Sequence, residues 1–577
     1  MRRLATALAC LAGLGLAACQ RQSAPPAAST PPPAASAAAP APPAPVALAP
    51  QIGADAFRAY DRTLAADDFQ GRKPGTEGEQ KTTAWLVEQF KRMGLEPGNH
   101  GDWFQTVPTD STELLNTDVA MTVTAKGKSD RFANRADMMV ETLQAKPSVS
   151  LRNSSIVFLG YGAIAPNWGW NDYAGIDVKG KTVIVLVNDP GFATGDPKLF
   201  NGRAMTYYGR WMYKYEEAAR QGAAACFVVH TSDDAAGYPW SVVVNSGSGP
   251  QLGLPASVDP APRLPVAGWL TRDAAKRLFA DAGLDFDALE KQAAQRGFKP
   301  VPLQATASLT LKNRIGRFES HNVVAMVKGS THPDEAVIYT AHWDHLGMDP
   351  KREGHQVFSG AVDNGTGLSM LLMIADAFAH QPTPPERSVL FFMPTLEESG
   401  LLGSKYYVAK PVFPLDKTVA DLAVDALPPV GRARDMTVIG KGQSQLEDLL
   451  ADVLKSQDRV ISGETTPENG FYFRSDHFNF AKAGVPAMLA SSGLDLLDGG
   501  EAAGKAAAAD YTAHRYHTPN DVFDPNWNLD GILEDTQAYY ELGERLAKSG
   551  VWPRWYPDSP FGAKREAMPK GEDAHAK

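Results

Sequence analysis

The sequence predicts an α/β fold, in which a mixed β-sheet carries helices on both faces. In the C-terminal half, apolar strand-like runs at 323–327 and 337–340 are followed by a helix-like apolar run at 368–378. Further strand-like runs occupy 388–393 and 486–490. In such sheets functional groups gather at the carboxyl ends of the strands, so the loops that follow these runs are where a site is expected.

Length and composition narrow the class of protein. A chain of 577 residues is too long for a single core, and two or three domains are expected. Its 44% hydrophobic and 21% charged residues are typical of a globular protein. The net charge of −10 comes without a long basic run, so nucleic acid is not an expected partner.

The N-terminal segment is predicted to be an export signal. Arg2 and Arg3 precede an apolar run at 4–16, which is too short to span a membrane. The run closes in Leu-Ala-Ala-Cys, which resembles the bacterial lipoprotein cleavage box. Residues 1–18 would then be removed, and Cys19 would carry a lipid that holds the protein on a membrane. The alternative is a plain secretory signal that is cut nearby.

The residues after Cys19 bear on location. Gln20, rather than an aspartate, follows the cysteine, which favours the outer membrane of a bacterial cell envelope. Residues 19–50 are almost all Ala, Pro and Ser, and such a composition forms an extended linker rather than a core. Cys10 would leave with the signal and Cys19 would carry the lipid, so Cys226 would be the one cysteine left and no intrachain disulfide is expected. Its apolar context predicts a small buried side chain.

A change in the sequence pattern predicts an inserted module at 146–310. This stretch has short β-type runs separated by Gly and Pro, and it lacks the spaced candidate ligands found later. It divides the remainder into two parts, 51–145 and 311–577. In the first part, Thr76 is expected to cap a helix at 79–93.

Candidate functional side chains follow the strand-like runs or lie in loops. Asp363 lies in the small-residue loop 359–367, and its two oxygens could each bind one cation. Taken singly, each candidate is as consistent with a surface or turn residue. Together, two histidines and three carboxylates are ligand types for a pair of zinc ions, and a further glutamate remains to move a proton.

The motifs as a group resemble the di-zinc aminopeptidases of metallopeptidase family 28. The matching segments are His342-Trp343-Asp344, Gly360-Ala361-Val362-Asp363-Asn364, Glu397-Glu398-Ser399-Gly400-Leu401, Asp425, Ser475-Asp476-His477 and Tyr516-His517-Thr518. The resemblance extends to the loop 71–76. The inserted module resembles a protease-associated (PA) domain, notably at Gly160-Tyr161-Gly162 and Asp172-Tyr173-Ala174-Gly175. A zinc-peptidase fold of the phosphorylase/hydrolase-like type is implied.

The family resemblance implies a set of metal ligands. Asp363 would bridge two Zn²⁺ ions. His342 and Asp425 would complete one site, and Glu398 and His517 would complete the other.

The resemblance also implies catalytic roles. Glu397 would take a proton from a water shared by the zinc ions and pass it to the leaving amine. Asp344 would accept a hydrogen bond from the outer nitrogen of His342, and Tyr516 would donate to the developing oxyanion. A cis peptide between Asp363 and Asn364 is expected as well.

One ligand assignment has competitors. Family members usually carry an Asn two residues before the aspartate, where this chain has Ala423. Asp421 and Asp476 are therefore alternatives to Asp425, which is preferred for its position after a strand and its distance after Glu398. Otherwise Asp476 would support the site or contact substrate.

The resemblance favours an aminopeptidase that acts on peptides with free N-termini. Phe471, Tyr472 and Phe473 could line an apolar side-chain pocket or belong to the core. Arg474 could instead pair with a substrate carboxylate, which would suit a carboxypeptidase of the glutamate carboxypeptidase type. A glutaminyl cyclase with a single zinc and a non-catalytic receptor-like relative are further alternatives.

Overall fold

The computed structural model describes residues 44–548 and 550–568. The predicted signal peptide, Cys19 and most of the linker 19–50 lie outside these residues, so lipid attachment stays a prediction. Within the described part of the chain, no helix combines the length and apolar character that a membrane span requires.

The α-helices lie in both parts of the chain that flank the inserted module and within the module itself. Their bounds are Ala54–Leu64, Glu77–Met93, Pro190–Thr194, Trp211–Arg220, Asp233–Ala236, Trp240–Ser246, Arg272–Ala282, Phe286–Ala293, Gly367–Ala379, Leu402–Ala409, Leu446–Leu454, His477–Ala483, Gly500–His514, Asp530–Lys548 and Gly562–Glu566. The Thr76 hydroxyl accepts the Gly78 amide at 3.2 Å, which confirms the predicted cap.

A mixed sheet, here called the main sheet, forms the centre of the fold and confirms the predicted α/β class. Across the sheet its strands run in the order Pro250–Gly253, Phe104–Leu114, Val301–Val327, Arg387–Met393, His332–Thr340, Thr418–Ala423, Ala487–Ser492, Asp435–Val438 and Val460–Gly463. The short strand Glu96–Pro97 pairs with Val301–Val327. The four central strands, Arg387–Met393 to Ala487–Ser492 in this order, are mutually parallel, so their carboxyl ends meet at one edge.

Helices cover both faces of the main sheet. Val337 and Tyr339 pack in one core together with residues of the helices Gly367–Ala379 and Asp530–Lys548. Their neighbours on the same strand, such as Ile338, pack in a second core on the opposite face, because successive side chains of a strand point to opposite sides. The helix Gly367–Ala379 is apolar on nearly every side and is buried accordingly, which holds the loop before it at the strand ends.

A second sheet, the module sheet, lies in the inserted region. Its strands run in the order Lys128–Ala133, Ala120–Ala125, Val301–Val327, Ser148–Phe158, Thr182–Leu186, Ala225–His230, Val266–Thr271 and Met138–Glu141. This sheet therefore begins at Ala120, before the predicted start of the module at 146. Cys226 lies in a central strand and is fully buried. Two small ribbons complete the strands, Ile164–Ala165 with Trp170–Asn171 and Gly347–Met348 with Val357–Phe358.

One long strand joins the two sheets. Val301–Val327 spans 27 residues. Its first part, residues 301–312, pairs in the module sheet, and residues 313–327 pair in the main sheet. Loops of the module consequently lie against the main domain. The Met205 amide donates to the Pro467 carbonyl at 3.0 Å, for example, which places the module beside the loops that follow the parallel strands.

Candidate metal centre

Side chains that are far apart in the sequence converge at the carboxyl edge of the main sheet. Three of them lie in loops that follow parallel strands, a fourth lies in the loop before the helix Gly367–Ala379, and the last lies in the loop after the helix Gly500–His514. They are His342, Glu398, Asp425, Asp363 and His517. The structure thus brings together every side chain that was predicted to bind metal.

The geometry of the group centres on Asp363. Its Oδ1 atom lies 3.3 Å from Nε2 of His342, and its Oδ2 atom lies 3.1 Å from Nε2 of His517. Each histidine nitrogen also faces a second carboxylate, at 3.2 Å for Asp425 Oδ1 and 3.1 Å for Glu398 Oε2. The two oxygens of one carboxylate therefore point into two separate groups of donors.

These donor atoms fit zinc. Imidazole nitrogen and carboxylate oxygen are common zinc donors, and two donors about 2.0–2.1 Å from one tetrahedral ion lie about 3.3 Å apart. The separations of 3.1–3.3 Å in the cluster match that value. Three carboxylates brought together in a largely buried place also need positive charge to offset their repulsion. The residues present thus suit a divalent metal.

His345 is a site residue that the sequence analysis missed. Its Nδ1 atom lies 2.6 Å from Oε1 of Glu398, and its ring is fully buried, with Nε2 lacking a hydrogen-bond partner. His345, Asp363 and Glu398 also form a group with the spacing of a metal site. Its place directly after His342-Trp343-Asp344 was the signal available in the sequence.

Asp344 acts differently from the prediction. His342 Nδ1 lies 3.1 Å from the backbone carbonyl of Asp344 and 3.8 Å from its carboxylate. The carboxylate instead accepts the backbone amide of Glu397 at 3.0 Å, because it is turned toward the next loop. Burial raises the pKa of the Asp344 carboxyl to about 8, against the lowering effect of His342. Asp344 thus orients the loop that carries His342 and the loop that carries Glu397, through its own carbonyl and through the Glu397 amide.

Glu397 lies beside the cluster and is 9% exposed. Burial raises the pKa of its carboxyl well above the ordinary value, and the negative charges of Asp425 and Glu398 add to the effect while His342 opposes it. A carboxyl group with a raised pKa beside a metal site is suited to accept and return a proton.

The competitors of Asp425 have other partners. Asp421 accepts a hydrogen bond from the Thr340 hydroxyl inside the sheet, and Asp476 accepts one from Ser404. Neither belongs to the groups with metal-site spacing, whereas Asp425 contacts His342. The geometry therefore favours Asp425 as the ligand.

Replacing Asp425 with Ala is expected to lower the amount of zinc bound per chain, because one of the two donor groups loses a carboxylate. Zinc measured by elemental analysis after dialysis checks this result. Asp349→Ala, in an exposed loop, is the matched control and should keep the wild-type zinc content. An unchanged zinc content in the Asp425 variant would move the ligand role to another residue.

Two further residues that the sequence analysis did not single out hold the Asp363 loop. The buried Arg72 guanidinium donates to main-chain carbonyls, including those of Trp343 and Gly360, both at 2.9 Å. The Asp521 carboxylate accepts the amide of Asp363 at 3.1 Å. The peptide bond that follows Asp363 is cis, as the resemblance implied. Gly360 has a φ of +57°, and a Cβ there would clash with the Asp363 carbonyl, so a glycine is required.

The remaining predicted residues lie around the cluster. Tyr516 is 41% exposed, and its ring stacks on His517 at 3.9 Å between centroids. Tyr472 and Phe473 are buried in the core, whereas Phe471 is exposed, so two of the three aromatic residues do not line an open pocket. Arg474 lies outside the cluster, and its guanidinium lies 5.4 Å from the centroid of the Tyr238 ring of the module.

The fold and the cluster define an α/β protein with a candidate metal centre at the carboxyl edge of its sheet. Residues 322–540 match the model of peptidase family M28. The matched region contains every residue of the cluster.

Comparison with known proteins adds distant relatives. The chain is 28% identical over 288 residues to leucine aminopeptidase 2 of Arthroderma otae, which covers 47% of this chain and 54% of that protein. It is 35% identical over 107 residues to aminopeptidase YwaD of Bacillus subtilis, covering 18% of this chain and 21% of the relative. The chain thus spans about half or less of these curated relatives. The solved structure of an aminopeptidase from Aneurinibacillus sp. strain AM-1 aligns with a TM-score of 0.47 at 19% identity, over 87% of this chain and 96% of that one.

Proposed function

We propose that this protein is a zinc aminopeptidase that removes N-terminal residues from peptides, with two zinc ions per chain. The observation that carries the proposal is the arrangement of Asp363, whose two oxygens face the Nε2 atoms of His342 and His517 separately. The match of residues 322–540 to peptidase family M28 and the aminopeptidase names of several relatives support the same function.

The donor groups divide between the two ions. His342 and Asp425 would hold one ion, Glu398 and His517 would hold the other, and Asp363 would contact both. Zinc bound there supplies a Lewis acid that polarises the scissile carbonyl and lowers the pKa of water.

Glu397 is the proposed proton carrier. It accepts a proton from water as the water oxygen bonds to the scissile carbonyl carbon, and it returns that proton to the amine as the carbon–nitrogen bond breaks. The Asp344 carboxylate fixes the Glu397 backbone amide, which positions this side chain relative to the cluster. Tyr516, exposed beside His517, is the proposed donor to the oxyanion.

Removal of metal is expected to abolish the activity. Chelator-dialysed protein should hydrolyse amino-acid anilides at least about 100-fold more slowly, since both carbonyl polarisation and water activation are lost, and added zinc should restore the rate. Release of the aniline from leucine, alanine and lysine anilides measures the rate.

The matching N-acetylated anilides are the controls for this experiment, and they should stay intact if a free N-terminus is required. Full activity without metal would contradict the proposal. Cleavage only of N-acetylated peptides that keep a free C-terminal carboxylate would favour a carboxypeptidase, and cyclisation of N-terminal glutamine would favour a glutaminyl cyclase.

The proposed site of action is supported by the N-terminal sequence. The Leu-Ala-Ala-Cys box supports a lipid on Cys19 and hence a location in a bacterial cell envelope, where the linker would hold the enzyme near a membrane. Peptides in that compartment are the proposed substrates.

A further inference from the structure

The inserted module contains a cavity of about 540 Å³ that the proposed reaction does not use. It lies at the carboxyl edge of four parallel strands of the module sheet, which are Ser148–Phe158, Thr182–Leu186, Ala225–His230 and Val266–Thr271. One lining residue follows each strand, in the same order Tyr161, Val187, Thr231 and Arg272. Ligands of open α/β sheets bind at such an edge, and small-molecule sites typically measure about 300–1,000 Å³.

Part of the cavity lining is charged, and these groups come from the helices Arg272–Ala282 and Phe286–Ala293. Arg272 donates to the two oxygens of Glu290 at 3.0 and 2.5 Å. Each of these carboxylate oxygens keeps a second lone pair for another donor. Lys291 also lines the cavity, and it has no ion-pair partner among the residues that the structure describes. The cavity thus offers both an acceptor for a cation and a free positive charge.

Most of the remaining lining residues are apolar or aromatic. Leu186, Ala235 and Ala294 are at most 5% exposed, and Phe192 lies with them in the lining. The Ser232 hydroxyl accepts the Ala235 amide at 3.1 Å, so its own proton stays free to donate. A molecule that fills the cavity therefore meets charged groups at one part and an apolar surface at another.

Buried hydrogen bonds hold the walls of the cavity in place. The fully buried Lys214 ammonium donates to the carbonyls of Tyr161 and Asn188, at 2.6 and 2.8 Å, and so joins the residues that follow two neighbouring strands. The Asn188 side chain donates to the Ala235 carbonyl at 3.0 Å. A site with walls that are fixed in advance loses little entropy when a ligand enters.

We infer that this cavity binds a free amino acid with an apolar side chain. Glu290 pairs with its ammonium group, Lys291 pairs with its carboxylate, and the apolar part of the lining takes its side chain. The choice of an amino acid rests on the proposed aminopeptidase function, because amino acids are the products of that reaction. The module is then a second binding site, separate from the metal centre.

The test measures the binding of radiolabelled L-leucine to the zinc-loaded enzyme by equilibrium dialysis. At saturation, the wild type is expected to bind one more leucine per chain than Ala294→Phe, in which the added ring occupies part of the cavity. Leucine held at the metal centre is common to both proteins and cancels in this difference. The difference between the two proteins therefore reports the module site alone.

Two analogues separate the charges of leucine. The first, 4-methylpentanoate, lacks the ammonium group, the second, 3-methylbutylamine, lacks the carboxylate, and neither contains a bond that a peptidase cleaves. Each should displace leucine from the module site at least about 10-fold less effectively than leucine itself does, because one charge-assisted contact is lost.

Variants assign the binding to the charged groups. Glu290→Gln and Lys291→Gln should each weaken leucine binding at the module site by at least about 10-fold, since each keeps most of the side chain but loses its charge. Asp281→Asn, exposed on the helix Arg272–Ala282, is the matched control and should bind leucine like the wild type.

Each outcome decides a specific claim. Equal amounts of leucine on the wild type and Ala294→Phe would overturn the inference, and so would displacement by 4-methylpentanoate that is as effective as by leucine. If Ala294→Phe does not fold, wild-type affinity in both glutamine variants overturns it. Hydrolysis of leucine anilide by the same preparations tests the aminopeptidase function separately. Protein that binds the additional leucine but cleaves no anilide would keep the module site and lose the proposed function.

Discussion

The Glu397→Gln variant is expected to lose about 10²- to 10⁴-fold in kcat while it keeps its zinc. Glutamine has the shape of glutamate but cannot take a proton from water, so the proton transfer is lost while the surrounding packing is preserved. The side chain is 9% exposed and lies beside the cluster without contributing to either group with metal-site spacing. The loss should therefore fall on kcat far more than on KM.

The measurement is kcat on an amino-acid anilide together with the zinc content of the same preparation. Glu353→Gln, in an exposed loop, is the matched control and should behave like the wild type. A kcat within about threefold of the wild type would remove Glu397 from the proton-transfer role. Loss of zinc together with the rate would make Glu397 a metal ligand instead.

The main elements could be predicted wherever apolar side chains alone determine them. The helix Gly367–Ala379 and the strand Arg387–Met393 are nearly continuous apolar runs, and both are buried as the sequence indicates. The strands Lys128–Ala133 and Ala120–Ala125 were missed because the first is largely exposed and the second alternates apolar residues with threonines. The strand Val301–Val327 was predicted only at its end, because its middle lies exposed between the two sheets and carries few apolar residues.

The ligand cluster was predicted from the resemblance to the peptidase family. Three of its members, His342, Glu398 and Asp425, also follow buried strands that the sequence shows as apolar runs. The residues that were missed act on the main chain. Arg72 holds carbonyl groups and Asp521 holds amides, and such contacts leave no characteristic spacing in a sequence. The carboxylate of Asp344 was wrongly assigned to His342. Its actual partner is the main-chain amide of Glu397, and a contact of this kind also leaves no characteristic spacing.

Replacing Asp363 with Ala is expected to reduce metal binding more than replacing Asp425 does. Both zinc ions should be lost, and the rate of hydrolysis should fall below about one thousandth of the wild-type rate. The reason is geometric. Each donor group contains one histidine, one carboxylate that belongs to that group alone and one oxygen of Asp363. A single substitution of Asp363 therefore removes a ligand from both groups. Asp425→Ala removes a ligand from only one of them.

The Asp363→Asn variant separates charge from shape at this position. An amide keeps one oxygen acceptor but replaces the other with an NH₂ group, which cannot bind a cation, so at most one zinc ion should remain. Elemental analysis of dialysed protein gives the ion count, and thermal unfolding shows whether the fold survives.

The metal-free variants should remain folded, because loss of one carboxylate relieves repulsion among the three that the cluster brings together. Two zinc ions retained by folded Asp363→Ala would show that the carboxylate does not join the two groups, and the binuclear arrangement would have to be abandoned.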